Sequence, residues 1–229
     1  MRHLLRLEDT AGGPDEVPVR GLALRAMIWP VLRIAGSSVA LVMILVNVAL
    51  AQTTVRVRGA VVDLTGQILT VKSREGATVS VRLADNYALM EVKKAKLTEV
   101  KVGDYVGTAA LRRPDGTFRA QEVLIFPAFA RGSAEGHTPW DLTPDSTMTN
   151  ATVAQVEAKG DGRTLTLKYK GGEAVVYVPA AAPIVTFGIG HISQLVPGAH
   201  IFVQGTRLPD GTITTTSVLV GRDKLVPPM

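Results

Sequence analysis

The sequence predicts an all-β protein of two tandem five-stranded OB-like barrels, with a helix in the first unit, after an N-terminal hydrophobic segment. An internal repeat, a period-two alternation of apolar and polar residues, and glycine-rich turns between the alternating runs carry that prediction. Val102-Gly103-Asp104-Tyr105-Val106 repeats as Pro197-Gly198-Ala199-His200-Ile201, and Arg113-Pro114-Asp115-Gly116-Thr117 repeats as Leu208-Pro209-Asp210-Gly211-Thr212, both at a spacing of 95. Upstream, Leu69-Thr70-Val71-Lys72 repeats as Leu165-Thr166-Leu167-Lys168 at a spacing of 96, so one loop differs in length. The units expected are residues 52–127 and 150–229, joined by a linker over 128–149.

The first element is an export device over residues 1–51. Ile34 to Leu50 is a run of 17 residues without charge, preceded by Arg20, Arg25 and Arg33 and followed by Ala49-Leu50-Ala51-Gln52. Basic residues, an apolar run and small residues in that order are the pattern of a secretory signal, with cleavage expected after Ala51. As a helix the run would rise about 25 Å, short of a hydrocarbon core of about 30 Å. Starting at Met27 instead of Met1 gives a signal of ordinary length. The expected location is therefore the periplasm, the alternative being an inner-membrane anchor formed by residues 34–50.

In the first repeat, Val55 and Val57 alternate with Arg56 and Arg58, Leu69 and Val71 with Thr70 and Lys72, and Val79, Val81 and Leu83 with Ser80 and Arg82. Each run reads as a half-buried strand, and Glu75-Gly76 and Pro114-Asp115-Gly116 supply tight turns. Between the third and fourth strands, Leu89, Val92, Leu97 and Val100 fall on one helical face, with Lys93, Lys94 and Lys96 opposite, which predicts a helix over Tyr87–Val100. In the second repeat Pro183, Gly188 and Gly190 interrupt the same stretch. A loop is expected there, with Ile184, Val185, Phe187, Ile189 and Ile192 plugging the barrel. Three strands, a spacer and two strands is the element order of the OB barrel.

These motifs, a glycine-led first strand, Leu-Thr-Val-Lys, Val-Gly-Asp and Asp-Gly-Thr, resemble a bacterial domain of unknown function found in exported proteins. Residues 52–229 resemble its tandem proteobacterial version, whose members often carry a label as metal ABC transporter permeases. A permease needs several spanning helices, and this chain has one candidate.

The chemically mixed stretch is the linker, Arg131-Gly132-Ser133-Ala134-Glu135-Gly136-His137-Thr138-Pro139-Trp140-Asp141. The resembled family has a similar run. Arg131, Glu135, His137, Trp140 and Asp141 are the candidate binding residues. Glu135, His137 and Asp141 offer two carboxylates and an imidazole to a divalent metal, although at no established zinc or calcium spacing. The competing reading has Glu135 and His137 bonded to loop backbone and Trp140 anchoring the linker between the barrels. Ser133 does not sit in a nucleophile elbow, and no resident cofactor or catalytic residue is expected. His191 and His200 read as structural.

The chain has 25 Lys and Arg against 20 Asp and Glu and no cysteine, which excludes disulfides and thiol chemistry. Arg56, Arg58, Lys72, Arg74 and Arg82 are expected to form one basic face. Its strands hold no aromatic residues for base stacking, so an anionic lipid or polysaccharide fits better than nucleic acid. The sequence thus predicts a non-enzymatic envelope binding or assembly module. A metal-handling accessory protein is the alternative, and a hydrolase comes third.

Overall fold

Alternating valines and leucines separated by short polar turns pair into strands, and the closed rings they form here draw on both repeats. The computed structural model describes residues 53–229, so the export segment, the start at Met27 and the cleavage point after Ala51 lie outside the described residues. Among the described residues no helix is long and apolar enough to cross a membrane. The first repeat supplies β1 (Thr54–Thr65), β2 (Ile68–Ser73), β3 (Thr78–Lys94), β4 (Tyr105–Arg112), β5 (Phe118–Ala120) and β6 (Val123–Ile125). The linker supplies β7 (Gly136–Pro139). The second repeat supplies β8 (Ser146–Lys159), β9 (Gly162–Tyr169), β10 (Gly172–Val178), β11 (Ile184–Ile189), β12 (His200–Arg207) and β13 (Ile213–Gly221).

A closed five-stranded barrel runs β1–β2–β3–β13–β12 and back to β1, with β3 and β13 parallel and the other neighbours antiparallel. A second ring of pairings runs β8–β9–β10–β5–β4 and back to β8, again with one parallel pair, β10 with β5. Each ring takes its first three strands from one repeat and its last two from the other. The expected units 52–127 and 150–229 are therefore not independent barrels.

The cause lies in β3, where the expected helix over Tyr87–Val100 gives way to a strand running through Lys94. A strand of 17 residues spans about 56 Å, which carries the chain out of its own ring before the next strand begins. Leu89 and Val92 suit a helical face, but Met90 and Val92 also keep a period of two, and pairing to β11 and β13 decides between them. Only Leu97–Glu99 winds into a 3-10 turn. In the second repeat Pro179 and Pro183 bracket a break, yet the chain resumes as β11 along the equivalent path. This corrects the expected loop: Ile184, Val185 and Phe187 are buried, while Ile189 and Ile192 are 87% and 54% exposed.

β3 and β11 pair antiparallel with Val92 opposite Phe187, residues themselves 95 apart in sequence. An antiparallel ladder centred on equivalent residues is a local twofold axis. Its consequences recur away from the axis. Ile213 sits beside Val81 as Phe118 sits beside Val176, and the bulge at Val61/Asp63 matches one at Val153/Gln155. Gly103 and Gly198 both take positive φ, 91° and 83°, which a residue with a Cβ resists. Asp115 accepts from the Thr117 amide at 3.0 Å as Asp210 accepts from that of Thr212 at 2.8 Å.

Three apolar cores follow. Val57, Leu69 and Val81 meet Ile201, Val203 and Ile213 inside the first ring, closed at one end by Leu195. Val106 and Val123 meet Leu165, Leu167 and Val176 inside the second, closed by Val100. Between the rings, at the twofold, Val92, Phe187, Leu124, Phe202 and Met229 form the third. If the chain is divided at Gly132 and the halves are expressed apart, neither half should unfold cooperatively as a monomer, and mixing should yield a one-to-one complex by size exclusion. A half that folds alone as a monomer contradicts the exchange.

Candidate functional site

The linker seats itself on the barrels by pairing β7 to β8, with His137 opposite Thr149. The hairpin turn from Trp140 to Ser146 then closes through Ser146 and Thr143, and Thr143 bonds the Gln121 side chain at 2.8 Å. That geometry carries Trp140 and Asp141 across to β1.

There Arg56 and Arg58, which alternate with the inward Val55 and Val57, point at the linker. The Arg56 guanidinium lies 3.9 Å from the centre of the Trp140 ring, and Arg58 lies 5.9 Å from it and 5.2 Å from that of Phe202. Cations over the face of tryptophan are held by its ring quadrupole. Asp141 accepts from Arg58 at 2.7 Å and lies 3.6 Å from Arg56, while Arg58 Nε donates to the Met229 carbonyl at 2.6 Å. Burial pulls the Asp141 carboxyl up, but the Arg58 hydrogen bond and the two arginine charges outweigh it and hold it below the usual carboxylate range.

One acid near this clasp was not anticipated. Glu122 is fully buried, neither carboxyl oxygen has a hydrogen-bond partner among the described residues, and Arg58 is the charge that acts on it there. Burial pushes its carboxyl up to about 8, against a smaller pull from Arg58. Arg56 Nε and Trp140 Nε1 are also buried without partners among the described residues, so polar capacity unmet by them gathers around the clasp. The sequence signal was an acid amid Ala120, Val123 and Leu124, at the position where the other repeat has Ser217.

The remaining predicted residues are dispersed. Glu135 accepts from the Lys170 amide at 2.9 Å. His137 Nδ1 bonds Thr149 Oγ1 at 2.8 Å, and its ring stacks on Tyr169 and meets Phe118 edge-on. Burial, with the Arg112 charge, holds its imidazole below the ordinary value. Arg131 donates to the Gly103 carbonyl and lies over Tyr105, whose hydroxyl donates to the Ser133 carbonyl. Glu135, His137 and Asp141 thus face three different partners, and among the described residues no three His, Asp or Glu side chains gather as a metal cluster. His191 caps the 3-10 turn Ile192–Gln194, while His200 is half-buried opposite Ala60.

The expected basic face divides. Lys72, Arg74 and Arg82 are exposed on and beside β2 and β3, whereas Arg58 is buried and Arg56 half-buried under Trp140. The period of two puts all five outside the barrel, but the linker covers the two on β1.

Comparison with protein families, with curated proteins and with solved structures finds no match to this chain.

Because Glu122 keeps its proton in the folded state up to about pH 8 and releases it near 4.5 when unfolded, rising pH over that window favours unfolding. The slope is at most about 1.4 kcal/mol per pH unit and is lost above the folded value. Chemical denaturation at pH 5, 6, 7 and 8 should show stability falling across the series. Glu122→Gln should remove that fall, and an unchanged slope in the variant rules the assignment out.

Proposed function

We propose that this chain is a non-enzymatic binding or assembly module of the bacterial envelope, working in the periplasm as two OB-like barrels that exchange strands. The observation that carries this reading is the position of Lys72, Arg74 and Arg82, exposed on the second and third strands of the first barrel and the turn between them. That face and its adjoining loops are what OB barrels present to oligonucleotides and oligosaccharides. With no aromatic residue on β2, and with Tyr87 of β3 packed against the first core, the contact is electrostatic, which suits an anionic polysaccharide or other polyanion.

The clasp serves this role by fixing one barrel against the other. Trp140 and Asp141, held by Arg56 and Arg58, close the third core, so a ligand meets a preformed surface and little ordering entropy opposes binding.

Heparin, as a model polyanion, should retain the protein on a column at low salt and release it as ionic strength rises, because exposed charges are screened within about 10 Å at 0.1 M. Lys72→Glu/Arg74→Glu/Arg82→Glu should elute at clearly lower salt. Retention that ignores added salt, or an unchanged elution in the triple variant, counts against this reading.

A further inference from the structure

A second surface, meeting the Lys72 and Arg74 end of the β2–β3 face at Val226, combines charge with an apolar wall. Lys93 and Lys94 end β3, and Arg222, Asp223 and Lys224 form the turn after β13. Between them lies a cleft of about 560 Å³, lined further by Leu225 and Val226. Through the shared Lys94 and Leu225 it continues into a cleft of about 400 Å³ walled by Leu97, Pro183, Ile184 and Val185, with Lys96 on its rim.

The charge in this composite cleft is largely uncompensated. Arg222 is engaged by Glu91 in two hydrogen bonds of 2.8 and 2.5 Å. Lys93, Lys94, Lys96 and Lys224 are exposed and stand in no ion pair among the described residues. Asp223 is the one acid lining the first cleft beside them.

The internal twofold supplies a control for whether the fold needs these cations. The residues of β11 equivalent to Lys93 and Lys94 are Gly188 and Ile189, and the 3-10 turn after β6, Ala128–Ala130, carries no charge. The twin therefore carries no lysine at these positions. The backbone differs too. Asp223 and Lys224 take φ of 51° and 60°, two successive non-glycine residues in the left-handed region, while Ala128–Ala130 holds none. Strain of that kind persists where the surrounding structure enforces it and collects at binding sites.

Lysines on the rim of an apolar channel match a ligand that has both characters. A hydrophilic polyanion would satisfy the rim and leave Pro183, Val226 and the half-buried Leu97 and Leu225 wet, whereas a neutral apolar ligand would leave the lysines without a counter-charge. We propose that this cleft binds an anionic amphiphile, with its phosphate or carboxylate head among Lys93, Lys94 and Lys224 and its hydrocarbon chain along Leu97, Pro183, Leu225 and Val226. The site adjoins the β2–β3 face at Val226 but uses a different set of cations, so the two are tested by different variants.

The test uses the full chain and short-chain lipids below their micelle concentration, titrated by calorimetry. Dihexanoyl phosphatidylglycerol should bind. Dihexanoyl phosphatidylcholine, with the same chains and no net charge, and inorganic phosphate, with charge and no chain, should each bind at least about tenfold more weakly. Lys93→Glu/Lys94→Glu/Lys224→Glu should lose about tenfold or more for phosphatidylglycerol while keeping the parent's unfolding midpoint and its retention on heparin. Lys72→Glu/Arg74→Glu/Arg82→Glu should bind the lipid like the parent. Equal binding of the two lipids, equal binding of phosphate, or undiminished binding by the first variant overturns the proposal. Loss of heparin retention in the second variant with no lipid binding by the parent would sink this inference and leave the polyanion reading standing.

Discussion

The ladder between β3 and β11, with Val92 facing Phe187, is the constraint from which the rest of the architecture follows. Once two equivalent strands pair antiparallel about equivalent residues, each chain segment beyond them is directed into the other repeat's barrel. β4 and β5 then complete the ring begun by β8, β9 and β10, and β12 and β13 complete the ring begun by β1, β2 and β3. The first barrel's core draws Val57, Val61, Leu69, Val71, Val81 and Leu83 from one repeat and Leu195, Ile201, Val203, Ile213, Val218 and Val220 from the other. Neither repeat owns a core. For a chain with no cysteine, and with units of a size at which packing alone is marginal, sharing the cores enlarges the buried surface that one cooperative unit commands.

The third core is the product of the same axis. Phe126, Phe187 and Phe129 meet edge-on beside it, and Trp140 covers its other flank with Phe202. Residues expected on a binding surface meet one another here: Arg56 and Arg58 are the cations that hold the tryptophan, and Asp141 is their counter-ion. The cost is a fully buried carboxyl, Glu122, beside an arginine whose bonds are committed elsewhere.

Local patterning made much of this legible. The strands at Val55–Arg58, Leu69–Lys72 and Val79–Leu83 follow their period of two, and the turns at Gly76, Gly116 and Gly211 all take positive φ. The repeat spacing reappears at the axis, where the residue 95 beyond Val92 is its ladder partner. What local pattern cannot carry is which repeat a strand pairs with, since β5 and β13 present the same alternation to either barrel. The helix expected over Tyr87–Val100 failed for the related reason that a short apolar run satisfies both periods until its neighbours are known. In the linker, Trp140 was legible as an anchor. Glu122 was not read as part of the site, because its significance comes from burial, not spacing.

The pairing of β3 with β13 separates the exchanged fold from two independent barrels in one measurement. Arg82 and Thr214 are neighbours across that parallel pair, with backbones about 5 Å apart, within disulfide reach. In independent barrels Arg82 would instead face Arg119, the first-repeat counterpart of Thr214. The chain has no cysteine of its own, so Arg82→Cys/Thr214→Cys and Arg82→Cys/Arg119→Cys can be oxidised and compared by peptide mass spectrometry of the monomer. The exchanged fold predicts an intramolecular disulfide in the first variant and none in the second; a disulfide in the second and none in the first would contradict it.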